Sequence, residues 1–322
     1  MEHVQLGQSG LRVSPISFGT WQLSPRFWGE QSSEEIARAI RRAFDGGINL
    51  FDTADAYGDG HAETVLGETI ADLPRDELVI TTKVLARFKP DGSRVPDLSA
   101  ENIAARCEVS LGRLQLDTID LYLLHGFDPL TPLEETAGQL DRLRAQGKIR
   151  AYGVSNHGVE QLRAQRRFGG YSVVQAPYSM IDPAGEDDLL PYCQAEDIGV
   201  MAYSPLHKGL LSGKYRGSET FTDFRAHHPD FQGERFAELC ENVQSLGPIA
   251  ERYGLSIYQL ALAATAQHPS IHTAVCGIKT VDQIEEALGA AGTVLSRDDL
   301  TAARAAVGPG SRRTADARGV RK

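Results

Sequence analysis

Residues 119–154, IDLYLLHGFDPLTPLEETAGQLDRLRAQGKIRAYGV, decide the reading of the fold. Two apolar runs, Ile119 to Leu124 and Ile149 to Val154, flank a stretch in which Leu133, Ala137, Leu140 and Leu143 recur at helical spacing. Each run is too short for a helix and apolar enough to be buried on both faces, as strands of a parallel sheet are. Between them, Thr131-Pro132-Leu133-Glu134 offers an N-cap, a first-position proline and a capping-box glutamate, and Gly147 ends the helix. The unit is strand, helix, strand.

The same texture extends in both directions. Further candidate strands are Ile16 to Gly19, Ile48 to Phe51, Leu78 to Lys83, Ser172 to Gln175, Val200 to Tyr203 and Ala274 to Cys276. Helical periods run through Ile36, Ile40, Ala43 and Phe44 and through Ile103, Cys107, Leu111 and Leu114, and Ser32/Glu35 and Ser296/Asp299 repeat the capping-box pattern. Strand–helix units repeated eight times predict an α/β chain forming a (β/α)8 TIM barrel over residues 1–308. Residues 3–14, HVQLGQSGLRVS, read as a β-hairpin placed before the first barrel strand. An open nucleotide-binding sheet is the rival architecture, but no G-x-G-x-x-G follows a candidate strand. Two connections are long, Ala86 to Leu98 and Pro205 to Gly233, and loops of that length are usually functional lids or disordered. The Gly/Arg-rich end, residues 309–322, is expected to be a flexible tail.

The 322 residues are 41% hydrophobic and 24% charged, which excludes wholesale disorder. A formal net charge of −10 argues against nucleic acid as a partner. Cys107, Cys193, Cys240 and Cys276 lie far apart with no C-x-x-C pair, so neither a zinc site nor a disulfide framework is expected. The start MEHVQLGQSG lacks a basic region followed by an apolar one, and no apolar run is long enough to span a bilayer. These features suit a reducing, cytoplasmic setting without a membrane partner. The adjacent His227-His228 lack ligand spacing, so no metal is expected.

Barrel chemistry belongs at the C-terminal strand ends. Asp52 and Tyr57 follow the second strand, Lys83 ends the third, and His125 ends the fourth. An ammonium ~4 Å from a phenol favours the phenolate by about 4 kcal/mol at an effective dielectric near 20. Asp52 would keep Lys83 charged, and His125 would align a substrate carbonyl for protonation by Tyr57. Lys83 also fits a Schiff-base aldolase or isomerase, a reading left open here.

The motifs Phe51-Asp52-Thr53-Ala54-Asp55-Ala56-Tyr57-Gly58, Thr82-Lys83, Asp120-Leu121-Tyr122-Leu123-Leu124-His125, Gly147-Lys148-Ile149-Arg150, Gly153-Val154-Ser155-Asn156 and Tyr203-Ser204-Pro205-Leu206 resemble those of the aldo-keto reductases. The resemblance runs from about Leu6 to Gly289. Phe224 to Phe231 with Glu234-Arg235-Phe236 is similar to the bacterial inositol-associated and general-stress branch. The resemblance implies a hairpin-capped barrel binding NADP(H), with NAD(H) as the possible alternative, and Tyr57 as general acid/base assisted by Asp52, Lys83 and His125. It implies transfer of the pro-R hydride to an aldehyde or ketone, or the reverse oxidation of a sugar or polyol alcohol. The same barrel also serves as a cofactor-binding regulatory subunit with little turnover, an alternative the four residues do not exclude.

On this resemblance, Ser155, Asn156 and Gln175 hold the nicotinamide amide, Tyr203 stacks on the ring, and Thr20 and Trp21 lie on the cofactor side. Ser204 to Lys214, with Leu206, Gly209 and Lys214, is placed to wrap a pyrophosphate, glycines allowing close backbone approach. Gly277 and Lys279 lead into a helix capped by Thr280 with Gln283 at its third position, a place for a 2′-phosphate. Ala287 stands where relatives place an adenine-binding asparagine, with Glu286 as the substitute contact. Trp21, Trp28, Tyr57 and His125 are expected to line the substrate funnel. Oligomeric state is not legible.

Overall fold

The computed structural model describes residues 1–88 and 94–308, so the tail expected at 309–322 and the tip of the 86–98 connection lie outside the described residues. The strands are β1 (Val4–Gln5), β2 (Arg12–Val13), β3 (Ile16–Gly19), β4 (Leu50–Asp52), β5 (Val79–Val84), β6 (Ala86–Phe88), β7 (Arg94–Pro96), β8 (Ile119–Leu124), β9 (Ile149–Ser155), β10 (Val173–Pro177), β11 (Gly199–Tyr203) and β12 (Thr273–Gly277). Strands β3, β4, β5, β8, β9, β10, β11 and β12 form a closed barrel, every adjacent pair parallel. It closes where Ala274 pairs with Ile16 and Cys276 with Phe18. The expected TIM barrel is what forms.

Strand alternation sorts the side chains into two apolar shells. Tyr122 and Leu124 face outward and pack with Ile103, Cys107 and Leu140 of the surrounding helices, while Leu121 and Leu123 face the lumen beside Leu50, Val79, Val173, Met201 and Val275. β1 pairs antiparallel with β2, and this hairpin pushes Leu6, Leu11 and Val13 into the lumen from below. Gly199 makes room for it: a Cβ there would lie 2.7 Å from the Leu6 side chain. The plug closes the N-terminal end, so a ligand has only the other rim to enter.

The caps follow the sequence closely. Ser32, Ser296 and Thr280 accept from the amides of Glu35, Asp299 and Gln283 at 3.2, 3.1 and 3.3 Å. Thr131 is the exception: its hydroxyl donates to Asp128 at 2.6 Å, so Pro132 becomes the N-cap and the helix begins at Leu133. Neither long connection is structureless. Ala86–Phe88 pairs antiparallel with Arg94–Pro96, and 205–233 contains three 3-10 turns, His207–Ser212, Phe224–His227 and Pro229–Phe231. Tyr215, Phe221, Phe231 and Phe236 interlock beneath it, with ring centroids 5.1–5.9 Å apart between Phe221 and the others and between Tyr215 and Phe236. The four cysteines are free and buried. Among the described residues no helix is long and apolar enough to cross a membrane.

Candidate active site

β4 and β5 are adjacent and in register, Asp52 opposite Thr81, so Asp52 and Lys83 both reach the top of the lumen. The Lys83 ammonium donates to Asp52 Oδ2 at 2.8 Å, to the Thr53 carbonyl at 2.7 Å and to the Tyr57 hydroxyl at 3.2 Å. Gly58, Asp59 and Gly60 take positive φ of 58°, 57° and 90°, a left-handed run that turns the chain back and brings Tyr57 over Lys83. His125 is anchored by its amide to the Val84 carbonyl at 2.8 Å, and its ring meets that of Tyr57 edge-on at 5.6 Å. The four expected residues therefore converge. All three Lys83 donors are used and its side chain is fully buried.

The electrostatics correct one expectation. Lys83 was expected to make Tyr57 unusually acidic, yet the phenol sits well above its ordinary value, because burial and then the Asp52 charge oppose ionisation. Burial likewise raises Asp52 and lowers Lys83, each partly restrained by the other's charge. Tyr57 is thus held protonated. His125 falls to about 3 through burial and then the Lys83 charge, so its imidazole is neutral. Behind them Asp55, 2.9 Å from Arg106, is pushed by burial to about 6.

A hydrogen-bonded chain runs along the rim from this cluster. Gln175 Nε2 donates to Asp52 Oδ1 at 2.7 Å, Ser155 Oγ faces Gln175 Oε1 at 3.5 Å, and Asn156 Nδ2 donates to Ser155 at 3.2 Å and to the His125 carbonyl at 2.8 Å. Tyr203 closes it, its hydroxyl 2.7 Å from Asn156 Oδ1. Ser155, Asn156, Gln175 and Tyr203 thus stand together, with Gln175 turned onto Asp52. Thr20 is buried and also turned inward, its hydroxyl bonded to the Asp52 carbonyl at 3.1 Å.

On the far side of the rim, Trp28, a substrate-funnel candidate, lies beneath two cations, Lys279 at 4.6 Å and Arg225 at 5.3 Å from its ring. Phe224 packs on both Trp21 and Trp28 at 5.3 and 4.9 Å, tying the segment after β3 to the long connection after β11. Lys214, Arg225 and Lys279 share one local field with Asp223, and burial and the Arg225 charge lower Lys279. Arg225 was missed as a site residue, although its motif was visible; only the fold shows that it faces Lys279. Ser204 and Lys208 adopt φ near 58° and Gly209 φ 93°, giving a tight backbone turn over this region. Leu206 is buried in that turn and accepts from the Gly209 amide at 2.9 Å. Gln283 binds back on the Lys279 amide at 2.8 Å. Glu286, the expected adenine contact, is engaged by Ser256 at 2.8 Å, while the Ala287 methyl beside it is buried.

The residues fit a dinucleotide. Gln22 Oε1 and Trp28 Nε1 are buried without hydrogen-bond partners beside this rim. The Gln22 amide packs directly on Gly277, where a Cβ would lie 1.9 Å from it. Three basic side chains stand above it in a chain of net charge −10.

Residues 15–307 match the Aldo/keto reductase family model. The NADH-specific methylglyoxal reductase of Escherichia coli (strain K12) is 33% identical over 318 residues, covering 94% of this chain and 98% of that one. The glycerol dehydrogenase AKR11B4 from Gluconobacter oxydans is 30% identical with a TM-score of 0.88, covering 95% of each chain. An aldo/keto reductase from Klebsiella pneumoniae, solved with NADP and acetate, is 29% identical with a TM-score of 0.77 over 98% of each chain. With this match spanning the barrel and its rim, the chain belongs to the aldo/keto reductase family and is an NAD(P)H-dependent oxidoreductase acting on carbonyls or alcohols.

Proposed function

We propose that this protein reduces aldehydes or ketones with NADP(H), using Tyr57 as general acid/base, or oxidises sugar or polyol alcohols in reverse. The observation that carries the reading is the Lys83 ammonium between Asp52 at 2.8 Å and the Tyr57 hydroxyl at 3.2 Å. When bound, the reduced nicotinamide supplies the hydride. The neutral His125 hydrogen-bonds the carbonyl oxygen and orients it. Tyr57, kept protonated by burial, donates its proton as charge builds on that oxygen. The phenolate that results is stabilised by Lys83, whose charge Asp52 preserves. Lysine and tyrosine thus act on the developing charge rather than on the resting state.

Ser155, Asn156, Gln175 and Tyr203 are the proposed nicotinamide contacts, and Ser204, Leu206, Gly209 and Lys214 the pyrophosphate contacts. Lys279, supported by Arg225 at the same tryptophan, is the proposed 2′-phosphate ligand, which supports NADP(H) over NAD(H). The similarity to an NADH-specific reductase makes NADH the control cofactor. A small carbonyl or polyol is the proposed substrate and the cytoplasm the proposed location.

The test is loss of NADPH absorbance with a panel of aldehydes. Tyr57→Phe is expected to lower kcat by about 10²–10⁴-fold with nucleotide affinity retained. Full turnover in that variant, or none in the wild type, overturns the reading; the second outcome favours the regulatory barrel.

A further inference from the structure

The connection after β11 folds so that its two ends meet. His207 Nε2 lies 2.8 Å from Asp230 Oδ2, and His228 Nδ1 lies 4.0 Å from the same oxygen. The three ligand atoms all fall within 4.8 Å of one another. The two imidazoles stand edge-on with centroids 5.7 Å apart. His207 and Asp230 are buried, whereas the His228 side chain is 15% exposed and leaves an entry path. His227, its neighbour in sequence, takes no part.

We propose that His207, His228 and Asp230 form a site for a zinc-class dication, and that the ion staples the two ends of the cofactor-side connection. Nitrogen and oxygen donors about 2.0–2.2 Å from a tetrahedral zinc stand roughly 3.4 Å from one another. The observed 2.8 and 4.0 Å separations bracket that value and the two imidazole nitrogens lie within 4.8 Å of each other, so side-chain adjustment alone can close the set around an ion. The metal takes the place of the proton now held between His207 and Asp230, and His228 gives up the 3.2 Å bond it accepts from the Asp230 amide. Arg235 Nε, 3.6 Å from the other Asp230 oxygen, orients the carboxylate as outer-shell partners of metal ligands do. Water completes the fourth position on the open side of His228.

The stapled segment carries Gly209, Lys214 and Arg225, so the ion restrains groups that face the proposed nucleotide. Metal binding itself does not depend on the proposed reaction. The experiment uses the full chain, freed of any histidine tag and treated with a chelator, titrated with cobalt(II) and separately with zinc(II). The expected result is tetrahedral cobalt absorption in the visible and one retained zinc per chain after gel filtration. His228→Ala, with unchanged far-ultraviolet circular dichroism, should weaken cobalt binding at least about tenfold, and His228→Gln serves if that variant unfolds. No visible band in the folded wild type, or a band of equal affinity in the His228 variants, overturns the site. Zinc should slow NADPH release measured by stopped-flow fluorescence in the wild type and not in His228→Ala. Equal release rates with zinc bound overturn the staple.

Discussion

Tyr57 sits where two fields oppose each other. The Lys83 ammonium at 3.2 Å favours the phenolate, while burial and the Asp52 carboxylate favour the phenol. Burial wins in the resting structure, so Tyr57 keeps its proton, and in the proposed mechanism Lys83 acts as that proton leaves. The neutral His125 gives a second test. Its folded pKa, about 3, is depressed below the ordinary 6.5, so its neutral form contributes stability above pH 6.5 that is lost as pH falls toward 3. By pH 5 the loss is about 2 kcal/mol. Urea unfolding at pH 7 and pH 5 should show His125→Asn losing less stability over that interval than the wild type. The kcat/KM profile should show no histidine break near pH 6.5.

Among the elements, the hairpin does work that its small size conceals. Leu6 is fully buried in the lumen against Gly199, and truncation there leaves a cavity with no chain free to fill it. Leu6→Ala should cost about 2–5 kcal/mol in denaturant unfolding. Turnover per folded molecule should hold, since the plug lies at the end opposite Tyr57. The helices obey their caps, and three of the capping signals read from sequence make the bonds they promise. Thr131 fails because Asp128, three residues earlier, offers its hydroxyl a carboxylate at 2.6 Å. The two long connections were legible only as loops. What orders the second is contact among Tyr215, Phe221, Phe231 and Phe236, which no local pattern announces.

For the whole molecule, the proposed nucleotide site forms only when the barrel is closed, because Trp28, Arg225 and Lys279 come from three separate connections. A ligand that binds the folded chain alone stabilises it by RT ln(1 + [L]/Kd), about 2.7 kcal/mol at a hundredfold excess over Kd. Thermal unfolding should therefore shift upward with NADPH, and further than with NADH at equal concentration. Lys279→Ala should narrow that difference; an equal shift from both cofactors in the wild type contradicts a 2′-phosphate contact.

The sequence by itself determined the barrel and the meeting of Asp52, Tyr57, Lys83 and His125 at one rim. Period-two and period-3.6 patterns, caps and strand-end residues are local, and closure of eight parallel strands places neighbouring strand tips together. Asp52, Lys83 and His125 needed no more than that. The protonation states were decided only by the tertiary structure, because desolvation depends on what covers a group, and Tyr57 is covered more completely than Lys83 can offset. The placing of Trp28 beneath Lys279 and Arg225, the inward turn of Gln175 and the meeting of His207 with Asp230 belong to the same class. Each joins residues from distant parts of the chain, and their sequence spacing carries no record of the contact.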